Sequence, residues 1–70
     1  MERVRVRSSN IKSVGYDSKT MTLETEFRDG GIYQYFSVAG HVHEGLMRAS
    51  SKGSYFHDHI KERYRFRKVR

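Results

Sequence analysis

The architecture of this 70-residue chain follows from residues 21–38, which read MTLETEFRDGGIYQYFSV. In the first eight of them, the odd-numbered positions are Met21, Leu23, Thr25 and Phe27, whereas the even-numbered positions 22–28 are all polar or charged. A period of two is typical of a half-buried strand with one face in water. The Asp-Gly-Gly at residues 29–31 predicts a tight turn, because glycine tolerates positive φ. Residues 32–38, rich in aromatic and β-branched side chains, predict the returning strand.

A further strand is predicted upstream, over residues 10–16. A hairpin loop at residues 17–20, which contains Asp and Ser, joins it to the strand at residues 21–28. Its apolar residues Ile11 and Val14 differ in parity, so they cannot both face the core of a regular strand. A bulge near Ser13 or Gly15 would bring them to one face.

Downstream of residue 39 the apolar period changes from two to that of a helix. Gly53 is expected to end or kink a first helix, and Ser54 can cap a second. Two apolar stripes define these helices: Val42, Leu46 and Ala49, then Phe56, Ile60 and Tyr64.

These periods predict an α+β fold: a small two-layer domain with a three-stranded antiparallel meander followed by two short helices packed on one face. Residues 1–70 are predicted to form one domain, with a core at about 8–66 and a basic tail at 64–70. Val4 and Val6 alternate with arginines, which is compatible with a short additional edge strand.

The net charge of +6 is concentrated at the two chain ends. Residues 1–12 carry +3 and residues 61–70 carry +5, whereas residues 13–60 carry −2. If the ends meet in space, they form one positive patch for a polyanion. The alternative is that charged termini keep a small domain in solution.

Cysteine is absent, so neither a disulfide nor a thiolate ligand or nucleophile is available. His41 and His43 are two residues apart, as are His57 and His59, and on a helix this spacing directs the rings to nearly opposite sides. No nucleophile with a base and an orienting group is legible either. We therefore expect no metal, no cofactor and no catalysis. No signal peptide or membrane span is visible, and a cytoplasmic protein is expected.

Five motifs follow one another along the chain: Ser8-Ser9-Asn10-Ile11, Val14-Gly15-Tyr16-Asp17, Tyr33-Gln34-Tyr35-Phe36, Ser51-Lys52-Gly53-Ser54-Tyr55-Phe56 and Tyr64-Arg65-Phe66-Arg67. In this order they closely resemble the KTSC domain family, named for a domain at the C-terminus of some lysyl-tRNA synthetases and also found as free-standing bacterial proteins of about this size. The resemblance covers residues 8–69, and the family's central Tyr-x-Tyr is met by Tyr33 and Tyr35. Ala39 and His43 depart from the usual Pro and aromatic residue. The synthetase context implies RNA binding as a candidate function.

Tyr33 and Tyr35 share one face of the predicted strand, where their rings could stack nucleobases if that face is open. The alternative is that they belong to the core. In that case Gln34 is exposed and apolar neighbours on its side of the strand are left partly in water.

The basic tail supplies the best phosphate contacts, because arginine forks pair bidentately with phosphate oxygens. Aromatic residues interleave with these cations, which is typical of nucleic-acid surfaces. A frayed, solvated tail is the alternative. The predicted contacts are Arg63, Arg65, Arg67, Lys68 and Arg70.

Lys52, beside Gly53 at a possible helix start, could bind an anion, although such a glycine is more often a helix C-cap. The sequence thus favours a non-catalytic RNA-binding module. The alternative is a protein–protein interaction module or a homodimer formed through an exposed strand edge.

Overall fold

The computed structural model describes all residues, 1–70, and contains five strands and two helices. In chain order the elements are β1 (Val4–Arg5), β2 (Ile11–Asp17), β3 (Thr22–Phe27), β4 (Ile32–Tyr35), α1 (Gly40–Arg48), α2 (Lys52–His59) and β5 (Phe66–Lys68).

The strands form one antiparallel sheet in the order β1-β2-β3-β4-β5. The predicted α+β fold, a meander followed by two helices, is confirmed. The sheet is larger than the three predicted strands, because both basic chain ends add an edge strand. The expected bulge is also present, as a register shift between Ile11 and Ser13.

The core lies between the helices and one side of the sheet, which we call the inner face. Cross-strand pairs place Leu23 and Tyr35 side by side on this face, and the helices add Val42 and Leu46 from α1. Ile60 follows α2 and is completely buried. Each such side chain contributes about 1.5–3 kcal/mol to folding when it leaves water.

The two helices pack closely because Gly45 of α1 has no side chain. A Cβ at this position would overlap the phenol ring of Tyr55 in α2. The contact explains why a residue with poor helix propensity lies in the middle of α1.

The helix boundaries differ from those predicted around Gly53. The first helix ends earlier, with Ala49 as its C-cap. Gly53 lies in the first turn of α2, and the N-cap is Ser51, whose hydroxyl accepts a hydrogen bond of 3.3 Å from the backbone N–H of Ser54. Ser54 is therefore inside the helix and does not cap it.

The fourth strand is shorter than predicted, because it ends at Tyr35 and not at Val38. Ser37 has a φ of 59°, which breaks the alternation of faces. As a result Val38 is completely buried although it follows the parity of the outward-facing Gln34. Its N–H donates to the carbonyl of Met21 at 2.8 Å.

Candidate functional site

Five aromatic rings from four elements meet on the inner face near the β5 edge. Tyr33 and Tyr35 come from β4, and Phe66 lies beside them on β5. The ring centroid of Phe66 is 5.9 Å from that of Tyr33 and 5.6 Å from that of Tyr35. Phe56 of α2 meets Tyr35 and Phe27 edge-on, with both centroid distances at 5.3 Å. Such edge and offset contacts hold the rings in fixed positions.

An open cleft of about 460 Å³ lies between α2 and this part of the sheet. We call it the aromatic cleft. Its volume falls within the range of about 300–1,000 Å³ that is usual for ligand sites. It is lined by Phe27, Tyr33, Tyr35, Phe56 and Phe66, together with Asn10, Asp29, Gly53, His57, Lys61 and Glu62.

The two predicted tyrosines have different environments within the cleft. Tyr35 is 4% exposed and belongs to the core, where burial and the neighbouring Tyr33 raise the pKa of its phenol to about 12. Tyr33 is half-buried and keeps part of its ring in the cleft. The sequence identifies Phe66 only as an aromatic residue between cations. In the structure 56% of this residue is exposed.

Residues 65–70 form part of the sheet backbone and are not a frayed tail. The carbonyl of Arg65 accepts from the N–H of Phe36 at 2.9 Å, and that of Arg70 accepts from the N–H of Ile32 at 3.0 Å. Arg63, Arg65 and Arg70 are exposed, so their side chains are accessible to a ligand.

Arg67 and Lys68 lie on opposite faces of the sheet, because they are adjacent in a strand. Arg67 is paired with Gln34 on the face away from the helices, the outer face, where its Nη2 lies 3.5 Å from the Gln34 Oε1. The ammonium of Lys68 is 5.9 Å from the ring centroid of Tyr33, within the range of a cation–π contact. Of these two cations, only Lys68 therefore lies on the inner face, beside the Tyr33 ring of the aromatic cleft.

Lys52 has a structural contact in addition to its position beside a second cleft. Its Nζ donates to the carbonyl of Ala49 at 3.0 Å, which satisfies the end of α1. The second cleft, also about 460 Å³, has no hydrophobic residue in its lining and shares Asn10, Gly53 and His57 with the aromatic cleft. Its remaining residues are Arg7, Ser8, Ser9, Ser50, Ser51, Lys52, Ser54 and Asp58.

The edge strands formed by the two basic chain ends are not neighbours in the sheet. Strands β1 and β5 are at opposite edges of the sheet, about 19 Å apart over four strand spacings. Arg3 does cross the outer face, where Gly15 leaves room: a Cβ there would lie 2.6 Å from the Glu2 carbonyl oxygen. The guanidinium of Arg3 is paired with Glu24, so part of the N-terminal charge is neutralised.

Glu24 is 6% exposed, although the alternation predicted a face in water. Gln34 donates to it at 2.8 Å and Arg3 provides the ion pair. Burial raises the pKa of Glu24, but the hydrogen bonds from Gln34 and Arg3 and the charge of Arg3 outweigh burial and hold the pKa below its usual value. The same hydrogen bond gives the side-chain amide of Gln34 an acceptor.

Sequence reasoning did not assign Phe27, Phe56 or Lys61 to a site. The first two were predicted only as apolar positions of a strand and a helix. No local pattern links them to Tyr33, because the cleft joins residues that are far apart along the chain. The charge run did locate Phe66 and Lys68, although without their orientation.

No group of three or more His, Asp or Glu side chains is close enough to hold a metal ion. Neither α1 nor α2 has the length and hydrophobicity that a membrane crossing requires.

The sequence model of the KTSC domain matches residues 7–64 of the chain. A crystal structure of a KTSC domain protein from Yersinia pestis superposes with a TM-score of 0.96 at 42% identity, over 99% of this chain and 97% of that one. This likeness extends over the sheet and both helices.

Similar proteins are of two kinds. An uncharacterized protein of Stutzerimonas stutzeri is 37% identical over 70 residues, which is 99% of both chains. Lysine–tRNA ligases of Trichormus variabilis and Nostoc punctiforme are 41% and 39% identical over 66 residues. That match covers 94% of this chain but 12% of each ligase.

Proposed function

The chain belongs to the KTSC domain family, and from this membership and the geometry of its β5 edge we propose that it is a non-catalytic module that binds RNA. The proposed interface combines the exposed cations of residues 61–70 with the partly exposed rings of Tyr33 and Phe66. It does not include Lys52, whose ammonium already has a carbonyl partner.

The observation that carries the proposal is the exposed Phe66 ring beside Lys68 at the edge of the sheet. An aromatic side chain that is 56% exposed loses apolar contacts that folding would otherwise provide. Nucleobases stack on such rings, and neighbouring cations bind the phosphates. Both kinds of contact are within reach of one strand of RNA here.

The ligase relatives support RNA as the partner. A domain attached to a lysine–tRNA ligase acts beside an enzyme that handles tRNA, and the homologous region makes up most of this chain. We extend this setting to the present protein as part of the proposal, with the cytoplasm as its site of action.

The test is fluorescence anisotropy with labelled tRNA, single-stranded RNA and duplex DNA at low and at near-physiological salt. We expect binding to RNA that weakens as salt rises, because each phosphate contact releases condensed counterions. The double variant Arg65→Glu/Arg67→Glu should abolish most of the affinity and, by removing two contacts, lower the salt slope by about 1.4.

The matched control is Arg5→Glu/Lys19→Glu, which makes the same change in net charge at two exposed cations, one in β1 and one in the turn between β2 and β3, outside both clefts. We expect the control to weaken binding only slightly, through the long-range field. Equal losses in both double variants would contradict an interface at β5. Absence of binding to any RNA at low salt would contradict the function itself.

A second candidate is pairing of β5 with a strand of a partner protein or of a second copy. One side of this edge strand has unpaired backbone groups, and Phe66 and Val69 are 56% and 46% exposed. Such an edge can extend a partner sheet. Sedimentation over a wide concentration range tests the homodimer: a monomer at all concentrations excludes it, whereas a salt-tolerant dimer supports it over RNA binding.

A further inference from the structure

The helices cover the inner face unevenly. The side chains of α1 and α2 pack over β2, β3 and Tyr35 in β4, and α2 ends at His59. In the cleft beside α2, Phe66 is 56% exposed and Tyr33 is only half-buried. The aromatic cleft is therefore the part of the inner face that the fold leaves open.

The ring of Phe66 is exposed but restrained. Its contacts with Tyr33 and Tyr35 fix its orientation through tilts of 52° and 32°. A ring held in this way offers a planar surface to a ligand without a further loss of rotamer freedom. The spacing of 5.9 Å between Phe66 and Tyr33 is too narrow for another ring to enter between them, and their tilt of 52° prevents one planar ligand from stacking on both. Such a ligand would stack on the open side of the more exposed ring, Phe66.

The charges around the cleft favour entry of the base of a nucleotide over entry of its phosphate. Asp29 and Glu62 line the cleft, and their carboxylates repel phosphate. Lys61 also lines it, and Lys68 lies over Tyr33. A base can enter such a cleft while the phosphates remain outside, near the exposed arginines.

We propose that the aromatic cleft takes one unpaired nucleobase, stacked on Phe66 with its edge against Tyr33, so that the module selects single-stranded RNA or loops over duplex. In a duplex both faces of a base are already stacked, so the base cannot reach these rings. This inference rests on the proposed function and specifies the part of the RNA that the site recognises.

The test compares a labelled hexanucleotide of cytidines with an abasic hexamer that has the same ribose–phosphate backbone, at one fixed low salt concentration. We expect the wild-type protein to bind the abasic strand about 5-fold to 150-fold more weakly, as removal of one stacked base requires. The variant Phe66→Ala should lose a similar factor on the cytidine strand and bind both strands almost equally. Phe66→Tyr keeps the ring and should restore the difference.

Val69→Ala is the matched control, since it shortens an exposed apolar side chain in the same segment but outside the cleft. It should leave both affinities unchanged. Thermal melting confirms that each variant is folded before binding is compared.

The outcomes separate the two proposals. Equal binding of both strands by the wild-type protein, or a base preference that survives Phe66→Ala, would overturn the cleft as a base site. If the base site fails in this way but Arg65→Glu/Arg67→Glu still lowers the affinity for both hexanucleotides, the proposal of RNA binding through the cations remains supported. If neither strand binds at all, both proposals fail.

Discussion

Thr25 lies in the middle of β3 on the inner face, completely buried between residues of β2 and β4. Its hydroxyl oxygen has no hydrogen-bond partner. A buried hydroxyl without a partner costs about 1–3 kcal/mol relative to one that is satisfied. The unpaired hydroxyl of this central residue therefore lowers the stability of the fold.

Replacing this hydroxyl by a methyl group should stabilise the protein. We expect Thr25→Val to raise the free energy of unfolding by about 1 kcal/mol, because the shape of the side chain is kept and the unpaired hydroxyl is removed. Urea denaturation measures the change. The control is Thr25→Ser, which keeps the hydroxyl and leaves a small cavity, and should be destabilising. A loss of stability in Thr25→Val would show that the hydroxyl has a partner in solution.

At the scale of elements, α2 is short and depends on its first turn. It has eight residues, fewer than an isolated helix needs in water. Ser51 supplies the one side-chain hydrogen bond to its N-terminal backbone, and Phe56 is its only buried residue. Because Phe56 also forms one wall of the aromatic cleft, the start of α2 stabilises the candidate site.

Removing the cap should weaken both the helix and the site. We expect Ser51→Ala to lower the free energy of unfolding by about 1 kcal/mol, since the N–H of Ser54 loses its acceptor. Ser50→Ala is the matched control, one residue earlier and exposed, and should change stability by less than about 0.5 kcal/mol. Equal effects of the two substitutions in urea denaturation would contradict the cap.

For the molecule as a whole, the two faces of the sheet are stabilised in different ways. The inner face is apolar and aromatic. The outer face has a row of polar side chains that runs from Arg3 through Glu24 and Gln34 to Arg67. This row connects the two chain ends across the sheet, although their strands are at opposite edges.

Two titratable side chains, His43 and Glu24, make the stability of the protein dependent on pH in two ranges. Burial lowers the pKa of His43, which stacks on Tyr16 at a centroid distance of 4.7 Å, although the charge of Glu44 opposes the shift. As pH falls below 6.5 the unfolded chain therefore binds a proton first and stability decreases. The pKa of Glu24 is also below its ordinary value of 4.5, so its contribution is complete above 4.5 and is lost as pH falls further.

Urea denaturation at pH 8, about 5.5 and about 3.5 tests both ranges. His43→Phe keeps an aromatic ring on Tyr16 and should reduce the decrease in stability between the two higher pH values. The exposed His41, changed to Gln, is its control. Glu24→Gln should flatten the decrease at the acidic end. An unaltered pH profile in both His43→Phe and Glu24→Gln would contradict the assignment.

Local patterns account for the three central strands, the turn, the two helices and the position of the cationic segment. They do not account for β5. The alternation at residues 21–28, the glycine turn after it and the two apolar stripes are each formed by residues close together in the sequence. Side-chain periodicity and backbone preference can therefore predict them. The cations of residues 61–70 and the Tyr33 ring could likewise be named from composition and spacing. Their use in RNA binding stays a prediction.

Pairing between distant segments decides the rest. Whether Glu24 meets water depends on Arg3 and Gln34, which reach it from other strands. Whether Tyr33 is accessible depends on where α2 ends and on Phe66, which lies 33 positions later in the chain and joins it through the β4–β5 register. Contacts of this kind arise from the packing of complete elements. No periodicity within a single segment specifies them.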